Sequence, residues 1–156
     1  MIDLDVPGCG ACQIEYLILD FNGTLAIDGR LIDGVKDRLT ELARVVSIIV
    51  VTADTFGTVR NELGDALCKI AILGKEDQST RKGELVDSLG NAQCIAIGNG
   101  RNDATMLKKA RVGICVVQDE GASSQAMIAC DVVCLNIHDA LDLIRTPLRL
   151  AATLRG

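Results

Sequence analysis

Four apolar residues, Tyr16-Leu17-Ile18-Leu19, run directly into Asp20-Phe21-Asn22-Gly23-Thr24-Leu25 near the start of the chain. An apolar run that ends in a carboxylate and a Gly-Thr turn is typical of a buried strand in a parallel sheet. Because open α/β folds gather their chemistry beyond the carboxyl ends of the strands, we expect Asp20 to lie at the mouth of a site. A carboxylate there can be a nucleophile, a metal ligand or both. Gly23 and Thr24 suit a loop that wraps a phosphate with backbone N–H groups.

The rest of the chain repeats a strand-then-helix pattern. Apolar runs predict strands at 16–19, 45–51, 69–73, 94–97, 112–117 and 132–135. The segments between them predict helices at 34–43, 58–67, 81–89, 103–110, 123–129 and 139–144. We expect Pro147 to end the last of these helices, and residues 148–155 to form a short amphipathic helix against the sheet edge or another subunit. Continuous apolar strands with helical spacers predict a doubly wound α/β fold of three layers, with a parallel sheet covered on both faces.

Length and composition favour one acidic domain with an aliphatic core. The chain has 156 residues, 49% of them hydrophobic but only 2% aromatic, and a net charge of −5. We expect a single domain over 1–156 with its core at about 14–145. The negative charge argues against nucleic acid and anionic membranes as partners. No apolar run approaches the roughly 20 residues of a membrane span, and the acidic N-terminus lacks the basic start of a signal peptide, so we expect a cytoplasmic protein.

Seven cysteines, an odd number, argue against a disulfide framework. Four of them lie in or beside apolar runs and are expected to behave as small buried hydrophobes: Cys68, Cys94, Cys115 and Cys134. Cys9-Gly10-Ala11-Cys12 is a CxxC, which can be a redox pair or half of a metal site. Cys130 and Cys134 form the only other close pair that can supply a second half. Two unpaired thiols in a turn remain the favoured interpretation.

Polar residues follow the first, second and fourth predicted strands. These are Asp20, then Thr52, then the run Gly98-Asn99-Gly100-Arg101-Asn102-Asp103, with Lys82 near the start of a helix between the last two. Carboxyl ends of parallel strands converge on one edge of the sheet, so these groups can form a phosphate site. Asp20 can attack phosphorus, Thr52 and Lys82 can bind phosphate oxygens, and Asp103 with Asp20 can hold Mg²⁺. Each residue alone is an ordinary turn, cap or surface residue, and it is their order that favours function.

This ordered set resembles the haloacid dehalogenase (HAD) superfamily. That family has Asp-x-Asp-Gly-Thr, a strand ending in Thr or Ser, a Lys, and Gly-Asp-Gly-x-x-Asp or similar, and the groups above take those places in the same order. Within the superfamily, three stretches resemble the phosphorylation domain of P-type ATPases: Thr52-Ala53-Asp54, Gly98 to Ala104 and Ala110 to Ile114. Two motifs, Asp20 to Thr24 and Thr52 to Gly57, resemble those of small soluble P-type ATPase-like HAD hydrolases. The likeness continues through 121–133 and covers roughly residues 14–145.

The resemblance implies a Mg²⁺-dependent phosphatase that acts through an aspartyl-phosphate. Its substrate would be a small phosphorylated molecule or a phosphoprotein. The implied catalytic residues are Asp20, Asn22, Thr52 and Lys82. The implied phosphate-binding residues are Gly23, Thr24, Thr52, Ala53 and Lys82. The implied metal ligands are Asp20, the backbone carbonyl of Asn22, Asn99 and Asp103.

Two amides depart from the family pattern. Asn22 stands where most HAD phosphatases have an Asp that serves as general acid and base, help that is worth about 10²–10⁴-fold. Asn99 stands where an Asp usually binds the metal, so weaker Mg²⁺ binding is expected, with Asp54 as a nearby further carboxylate. The alternative is therefore a catalytically weak or inactive regulatory or binding protein. A third hypothesis, a metal or redox sensor at the CxxC on a HAD core, ranks well below both.

The spacing of the motifs leaves no room for a cap domain. Only 27 residues separate Thr24 from Thr52, and 29 separate Thr52 from Lys82. Proteins of this kind without a cap use a partner subunit as a lid or act on a macromolecule, so a homo-oligomer is a reasonable expectation.

Among the remaining polar residues, Arg101 is either a substrate contact or a solvated loop residue, and His138 is expected to be a cap or surface residue. Asp28-Gly29-Arg30 predicts a hairpin turn.

Overall fold

A six-stranded parallel sheet with helices on both faces forms the centre of the molecule. The computed structural model describes residues 1–53 and 57–156. The strands are β1 (Ile2–Val6), β2 (Gly10–Ile14), β3 (Tyr16–Asp20), β4 (Ala26–Ile27), β5 (Arg30–Leu31), β6 (Ser47–Thr52), β7 (Lys69–Ile72), β8 (Cys94–Gly98), β9 (Val112–Val116) and β10 (Val132–Cys134). The helices are α1 (Val35–Leu42), α2 (Thr58–Leu63), α3 (Gln78–Leu89), α4 (Ala104–Lys109), α5 (Ser124–Ala129), α6 (Ile137–Arg145) and α7 (Pro147–Leu154).

The order of the sheet is β10-β9-β8-β3-β6-β7, and every neighbouring pair is parallel. The strand that carries Asp20, β3, lies between β8 and β6, so the loops after these three strands meet at the same edge. The predicted doubly wound α/β fold is confirmed. Each predicted strand of the sheet agrees with an observed one to within one or two residues at either end.

The core is aliphatic and lies on both faces of the sheet, as the composition predicts. Along β3, Leu17 and Leu19 pack into the cluster that also holds the buried faces of α1 and α6. Ile18 points to the other face and packs with the buried residues of α3, α4 and α5. This alternation explains why the central strand reads as an unbroken apolar run, since both of its faces are covered.

The helix α6 stops at Arg145, two residues before Pro147, as predicted. Pro147 also begins α7, where a proline costs no hydrogen bond because the first helical N–H has no partner inside the helix. The short helix predicted over 148–155 is observed as α7, which buries Leu150 and Ala151 and packs against β1 and α6. Its contact with another subunit stays a prediction.

An N-terminal hairpin, β1–β2, was not predicted. Its signal is the alternation of buried Leu4 and Val6 with exposed Asp3 and Asp5, which is the period-2 pattern of a half-buried strand. A second hairpin, β4–β5, turns at Asp28 and Gly29, which have φ of 50° and 76°. This confirms the predicted turn and its preference for residues that tolerate positive φ.

Between β3 and β6, the chain holds only the β4–β5 hairpin and α1, and the described residues between β6 and β7 add α2. No cap is therefore evident in the parts of the chain that the structure describes. In residues 1–53 and 57–156, no helix has both the length and the apolar character needed to cross a bilayer.

Candidate active site

A buried ion-pair triad lies at the carboxyl edge of the sheet. Asp20 is the last residue of β3, Asp103 ends the 3-10 turn that follows β8, and Lys82 comes from the second turn of α3. The Lys82 Nζ donates to Asp20 Oδ1 at 2.6 Å and to Asp103 Oδ1 at 2.5 Å. All three residues are buried: Asp20 is 7% exposed, Asp103 0% and Lys82 1%. The structure thus brings together three of the residues that the sequence singled out.

Charge in this triad is not balanced. Two carboxylates and one ammonium leave a formal charge of −1 when all are ionised. Burial, reinforced by the charge of Asp103, raises the pKa of Asp20 to about 7 against the opposing effect of Lys82. Burial works against the charged form of Lys82, but Asp20 and Asp103 together outweigh it and raise the pKa of this ammonium. Lys82 therefore stays charged, and the site favours a further positive charge.

Asp103 is held on all sides. Its Oδ1 accepts from Lys82, and its Oδ2 accepts from the backbone N–H groups of Asn99 at 3.0 Å and Gly100 at 2.8 Å. Gly98 is required beside it, because a Cβ there would lie 2.5 Å from the Asp103 carboxyl carbon. The run from Gly98 to Asp103 is thus a turn folded around one carboxylate, which explains its residue types and spacing.

Thr24 connects the loop after β3 to the loop after β8. Its buried hydroxyl lies 3.4 Å from Asp20 Oδ2 and 3.3 Å from Asn99 Oδ1, and its single proton can serve one of them at a time. Gly23 has φ of 78°, and a Cβ there would meet the Asn99 side chain at 2.3 Å. The N–H of Gly23 donates to Ala26 O and that of Thr24 to Phe21 O, so both amides are used inside the loop.

Both ends of the Asn99 side-chain amide have a partner in this structure. Its Oδ1 faces the Thr24 hydroxyl, while its Nδ2 donates to Gly121 O at 3.0 Å. A carboxylate at this position has no proton to give to Gly121. The departure from the family pattern therefore has a structural use.

The other predicted residues lie around the triad at the same edge. Thr52 is buried at the end of β6, one residue beyond Val51, which pairs with Asp20 in the sheet. Ala53 is half-buried and Asn22 is exposed. Asp54, the suggested extra carboxylate, lies outside the described residues, as do Thr55 and Phe56.

Comparison with known proteins identifies the family. A family model described as haloacid dehalogenase-like hydrolase matches residues 86–140, which include Asn99, Asp103 and the strands β8, β9 and β10. The chain belongs to the haloacid dehalogenase superfamily. It is 50% identical over 72 residues to an uncharacterized protein of Methanocaldococcus jannaschii, a match that covers 46% of this chain and 77% of that protein. A second uncharacterized protein of that organism is 49% identical over 39 residues, covering 25% and 89%.

Solved structures of the superfamily share the fold. A magnesium-, phosphate- and KDO-bound 3-deoxy-D-manno-octulosonate 8-phosphate phosphatase from Moraxella catarrhalis has a TM-score of 0.66 at 20% identity, over 86% of this chain and 87% of that one. The cobalt-bound phosphatase from Haemophilus influenzae gives 0.71 at 16% identity over 92% and 94%. The resemblance to P-type ATPases stays a prediction from the motifs.

A HAD-type metal site is compatible with the residues present. Within residues 1–53 and 57–156, no three His, Cys, Asp or Glu side chains are arranged to hold a metal. Asp20 Oδ2 and Asn99 Oδ1 nevertheless both lie within 3.4 Å of the Thr24 hydroxyl, and neither is used by Lys82. Two hard oxygen atoms beside a net negative charge suit Mg²⁺, which keeps several waters and needs few protein ligands.

One residue of this HAD site was missed by the sequence analysis. Gln118 lies two residues beyond β9 and donates from Nε2 to Gly23 O at 2.9 Å and to Thr24 O at 2.7 Å. The signal was available, because Gln118 follows the fifth predicted strand just as the other site residues follow theirs.

The remaining candidates make none of the hydrogen bonds of the triad among the described residues. Cys9 is exposed in the β1–β2 turn, and all seven cysteines are free. The carbonyl of Cys9 accepts from Arg111, which lies just before β9, at the opposite end of the strands from the site. Arg101 is exposed on the turn after β8. His138 lies on α6 near Gly34, and its Nδ1 is buried without a hydrogen-bond partner in the part of the chain that the structure describes.

Proposed function

We propose that this HAD protein is a Mg²⁺-dependent phosphohydrolase that forms an aspartyl-phosphate on Asp20. The observation that carries the proposal is the buried carboxylate at the end of β3, held 2.6 Å from a charged lysine that a second carboxylate fixes. A fixed cation beside a nucleophile is what phosphoryl transfer needs, since its catalysis is mainly positioning and charge stabilisation. Solved relatives of the same fold include a phosphatase with magnesium and phosphate bound.

In the proposed reaction Asp20 Oδ2 attacks phosphorus, because Oδ1 is engaged by Lys82. The new bond joins Asp20 to phosphorus, and the bond between phosphorus and the leaving oxygen breaks, releasing an alkoxide or phenolate that takes its proton from solvent. Water then attacks the phosphorus of the acyl phosphate and loses a proton to solvent, which frees phosphate and restores the carboxylate. Lys82 and Thr52 bind the phosphoryl oxygens, with Gly23, Thr24 and Ala53 lining the same loop edge.

The metal would be held by the Asp20 carboxylate, Asn99 Oδ1 and the carbonyl of Asn22, and when bound it would supply positive charge that favours the ionised nucleophile and the transferring phosphoryl group. Asp103 was predicted as a direct ligand. With both of its oxygens engaged, we propose instead that it acts through Lys82 and the turn after β8.

Asn22 limits the substrates that this site turns over. An amide can neither protonate a leaving group nor take a proton from water, so phosphate esters with good leaving groups should react first. We propose small phosphorylated molecules or a phosphoprotein as substrates.

The seven free thiols and the acidic charge support a place in the cytoplasm, where thiols stay reduced.

A second candidate is a HAD protein that binds phosphate or carries it on Asp20 with little turnover. The specific observation is that the Asn99 amide donates to Gly121 O. The Asn that replaces the usual metal-binding Asp therefore has a structural role in this fold. Such a protein would serve as a regulator or binding module.

The test is hydrolysis of p-nitrophenyl phosphate with Mg²⁺, with EDTA, and by Asp20→Asn. We expect activity that requires Mg²⁺ and falls to background in the variant, since the nucleophile is gone. Asp5→Asn is the matched control, because it makes the same change on the exposed side of β1 and should leave the rate unchanged.

Activity that survives Asp20→Asn would contradict the mechanism. A wild-type protein that shows no hydrolysis in excess Mg²⁺ would contradict the phosphohydrolase itself. Intact-mass analysis after incubation with acetyl phosphate then tests the second candidate, which requires a stable phosphoryl adduct on Asp20 or tight binding of phosphate.

A further inference from the structure

The loop after β9, residues 117–123, touches both of the loops that build the site. We call it the β9 loop. Its Gln118 donates to Gly23 O and Thr24 O in the loop after β3. Its Gly121 accepts from the Asn99 side chain, and its Ser123 N–H donates to Asn99 O in the loop after β8. Since β8 separates β9 from β3 in the sheet, this loop must reach across a whole strand to do so.

The Gln118 side chain has one orientation that fits. Its Nε2 faces two carbonyl oxygens at 2.9 and 2.7 Å, and its Oε1 accepts from the backbone N–H of Ile137 at 3.0 Å. Exchanging the two ends would place an oxygen against two oxygens and a donor against a donor. All of the hydrogen-bonding capacity of the NH₂ group is therefore spent on the loop that follows Asp20.

These bonds fix two consecutive peptide planes. In a trans peptide the N–H points away from the preceding carbonyl. While the carbonyls of Gly23 and Thr24 face Gln118, the following N–H groups of Thr24 and Leu25 face Phe21 O at 3.2 and 2.9 Å. A flip of either plane breaks bonds on both of its sides.

Fixing these planes places the Thr24 side chain. Its hydroxyl then lies between Asp20 Oδ2, the proposed attacking oxygen, and Asn99 Oδ1. The other end of Gln118 is anchored to the first residue of α6, whose start is capped by Asn136. The orientation of the proposed nucleophile is thereby tied to a rigid helix start on the far side of β8.

We propose that Gln118 is a positioning residue of this site: it holds the Gly23 and Thr24 peptides so that Asp20 Oδ2 stays aligned for attack. The inference rests on the proposed function for its catalytic consequence. It predicts that the two N–H donors, rather than the volume of the side chain, are what the reaction needs.

Three variants separate the donors from the volume. Gln118→Glu keeps the shape and removes both donors, Gln118→Met keeps only the volume, and Gln118→Lys restores a donor. With p-nitrophenyl phosphate we expect kcat to fall about 10²-fold in the Glu and Met variants, with KM changed by less than about threefold, because misalignment of about 1 Å costs this much. The Lys variant should recover part of kcat. Gln125→Glu makes the same charge change on the exposed face of α5 and should equal wild type.

A readout by hydrogen exchange does not depend on activity. In the wild-type protein, the Gln118 side-chain NH₂ protons should exchange more slowly than those of Gln125. In Gln118→Glu, the backbone amides of Thr24 and Leu25 should exchange faster while that of Ile18 in β3 does not. A loss of fold would instead accelerate all three.

The outcomes distinguish the two proposals. If the wild-type protein needs Asp20 and Mg²⁺ but the Glu and Met variants keep kcat within about twofold, Gln118 has no positioning role and the proposed function stands. A Lys variant no better than the Met variant also overturns the inference. If the wild-type protein is inactive, the proposed function fails, and unchanged exchange at Thr24 and Leu25 in Gln118→Glu overturns the inference as well.

Discussion

At the scale of single residues, the site differs from the family pattern by two carboxylates replaced with amides. Asn99 is buried and both ends of its side chain have partners, so its effect is mainly structural and electrostatic. Asn22 is exposed two residues after Asp20, and under the proposed mechanism it faces the departing leaving group. We therefore expect the two amides to differ, because an Asp at position 22 can restore proton transfer without removing a buried contact.

Asn22→Asp should accelerate hydrolysis, and more so for poor leaving groups. A carboxyl group at this position can donate and then accept the proton that the amide cannot, which is worth about 10²–10⁴-fold. We expect a large gain in kcat/KM for glycerol phosphate and a small one for p-nitrophenyl phosphate, whose leaving group needs little protonation. The measurement is the ratio of the two gains.

Asn61→Asp on the exposed surface of α2 is the matched control and should change neither substrate. Equal gains for both esters would mean that the new carboxylate acts through charge alone, and no gain would argue against a leaving-group position beside Asn22.

At the scale of elements, glycines set how closely the layers approach at the site. The stretch Ala110 to Ile114 resembles P-type ATPases, and the structure gives a reason for its glycine. A Cβ on Gly113 in β9 would lie 2.3 Å from the backbone carbonyl oxygen of Leu107 in α4. Backbone atoms cannot move aside as a flexible side chain can, so only glycine lets α4 lie this close to β9. The helix α4 follows directly from Asp103.

Gly113→Ala should destabilise the protein by about 1–3 kcal/mol through overpacking. Urea unfolding followed by circular dichroism measures the change. Gly74→Ala is the matched control, since a Cβ there meets only the mobile end of Arg81 at 3.5 Å. Equal stabilities of the two variants would show that α4 can shift away from β9 at little cost.

Helix and strand types were largely predictable from periodicity, but several boundaries were not. The helix α3 begins at Gln78, three residues before the predicted start, so Lys82 lies in its second turn and reaches the site from there. The helix α2 ends at Leu63 rather than Leu67, because Gly64 adopts φ of 55°. Such ends depend on caps and tertiary contacts that amphipathic spacing does not encode.

At the scale of the whole molecule, burial divides the seven cysteines into chemical classes. Cys94 and Cys115 lie in the central strands, where burial raises the pKa of Cys94 to about 11 and of Cys115 to about 12. Cys9 is exposed in the N-terminal hairpin. Because the thiolate is the reactive form, the core thiols should be inert while the fold is intact.

Alkylation with iodoacetamide at pH 8 should modify Cys9 within the first minutes and leave Cys94 and Cys115 unmodified until the protein is unfolded in urea. Peptide mass spectrometry at intervals measures this, with the urea-unfolded chain as the control for intrinsic reactivity. Rapid labelling of Cys115 without denaturant would show that the layer formed by α4 and α5 opens readily.

The expected homo-oligomer and the single-domain boundaries stay predictions.

The sequence by itself determined the layer architecture and the identity of the catalytic candidates. Apolar runs with helical spacers specify a covered parallel sheet, and the parallel sheet brings Asp20, Thr52 and the turn after β8 to one edge. These properties follow from local pattern and from the geometry of parallel strands, both of which a linear sequence carries.

Only the tertiary structure decided how the groups share their bonds. Asp103 accepts from Lys82, Asn99 donates to Gly121, and Gln118 holds the loop after β3. The partners in these three contacts are 21 to 95 positions apart in the sequence. Such partners depend on the angles at which three loops meet, and hydrogen bonds are sensitive to tenths of an ångström and tens of degrees. A residue pattern can name the groups at an edge, but the choice of partner is made when the layers pack.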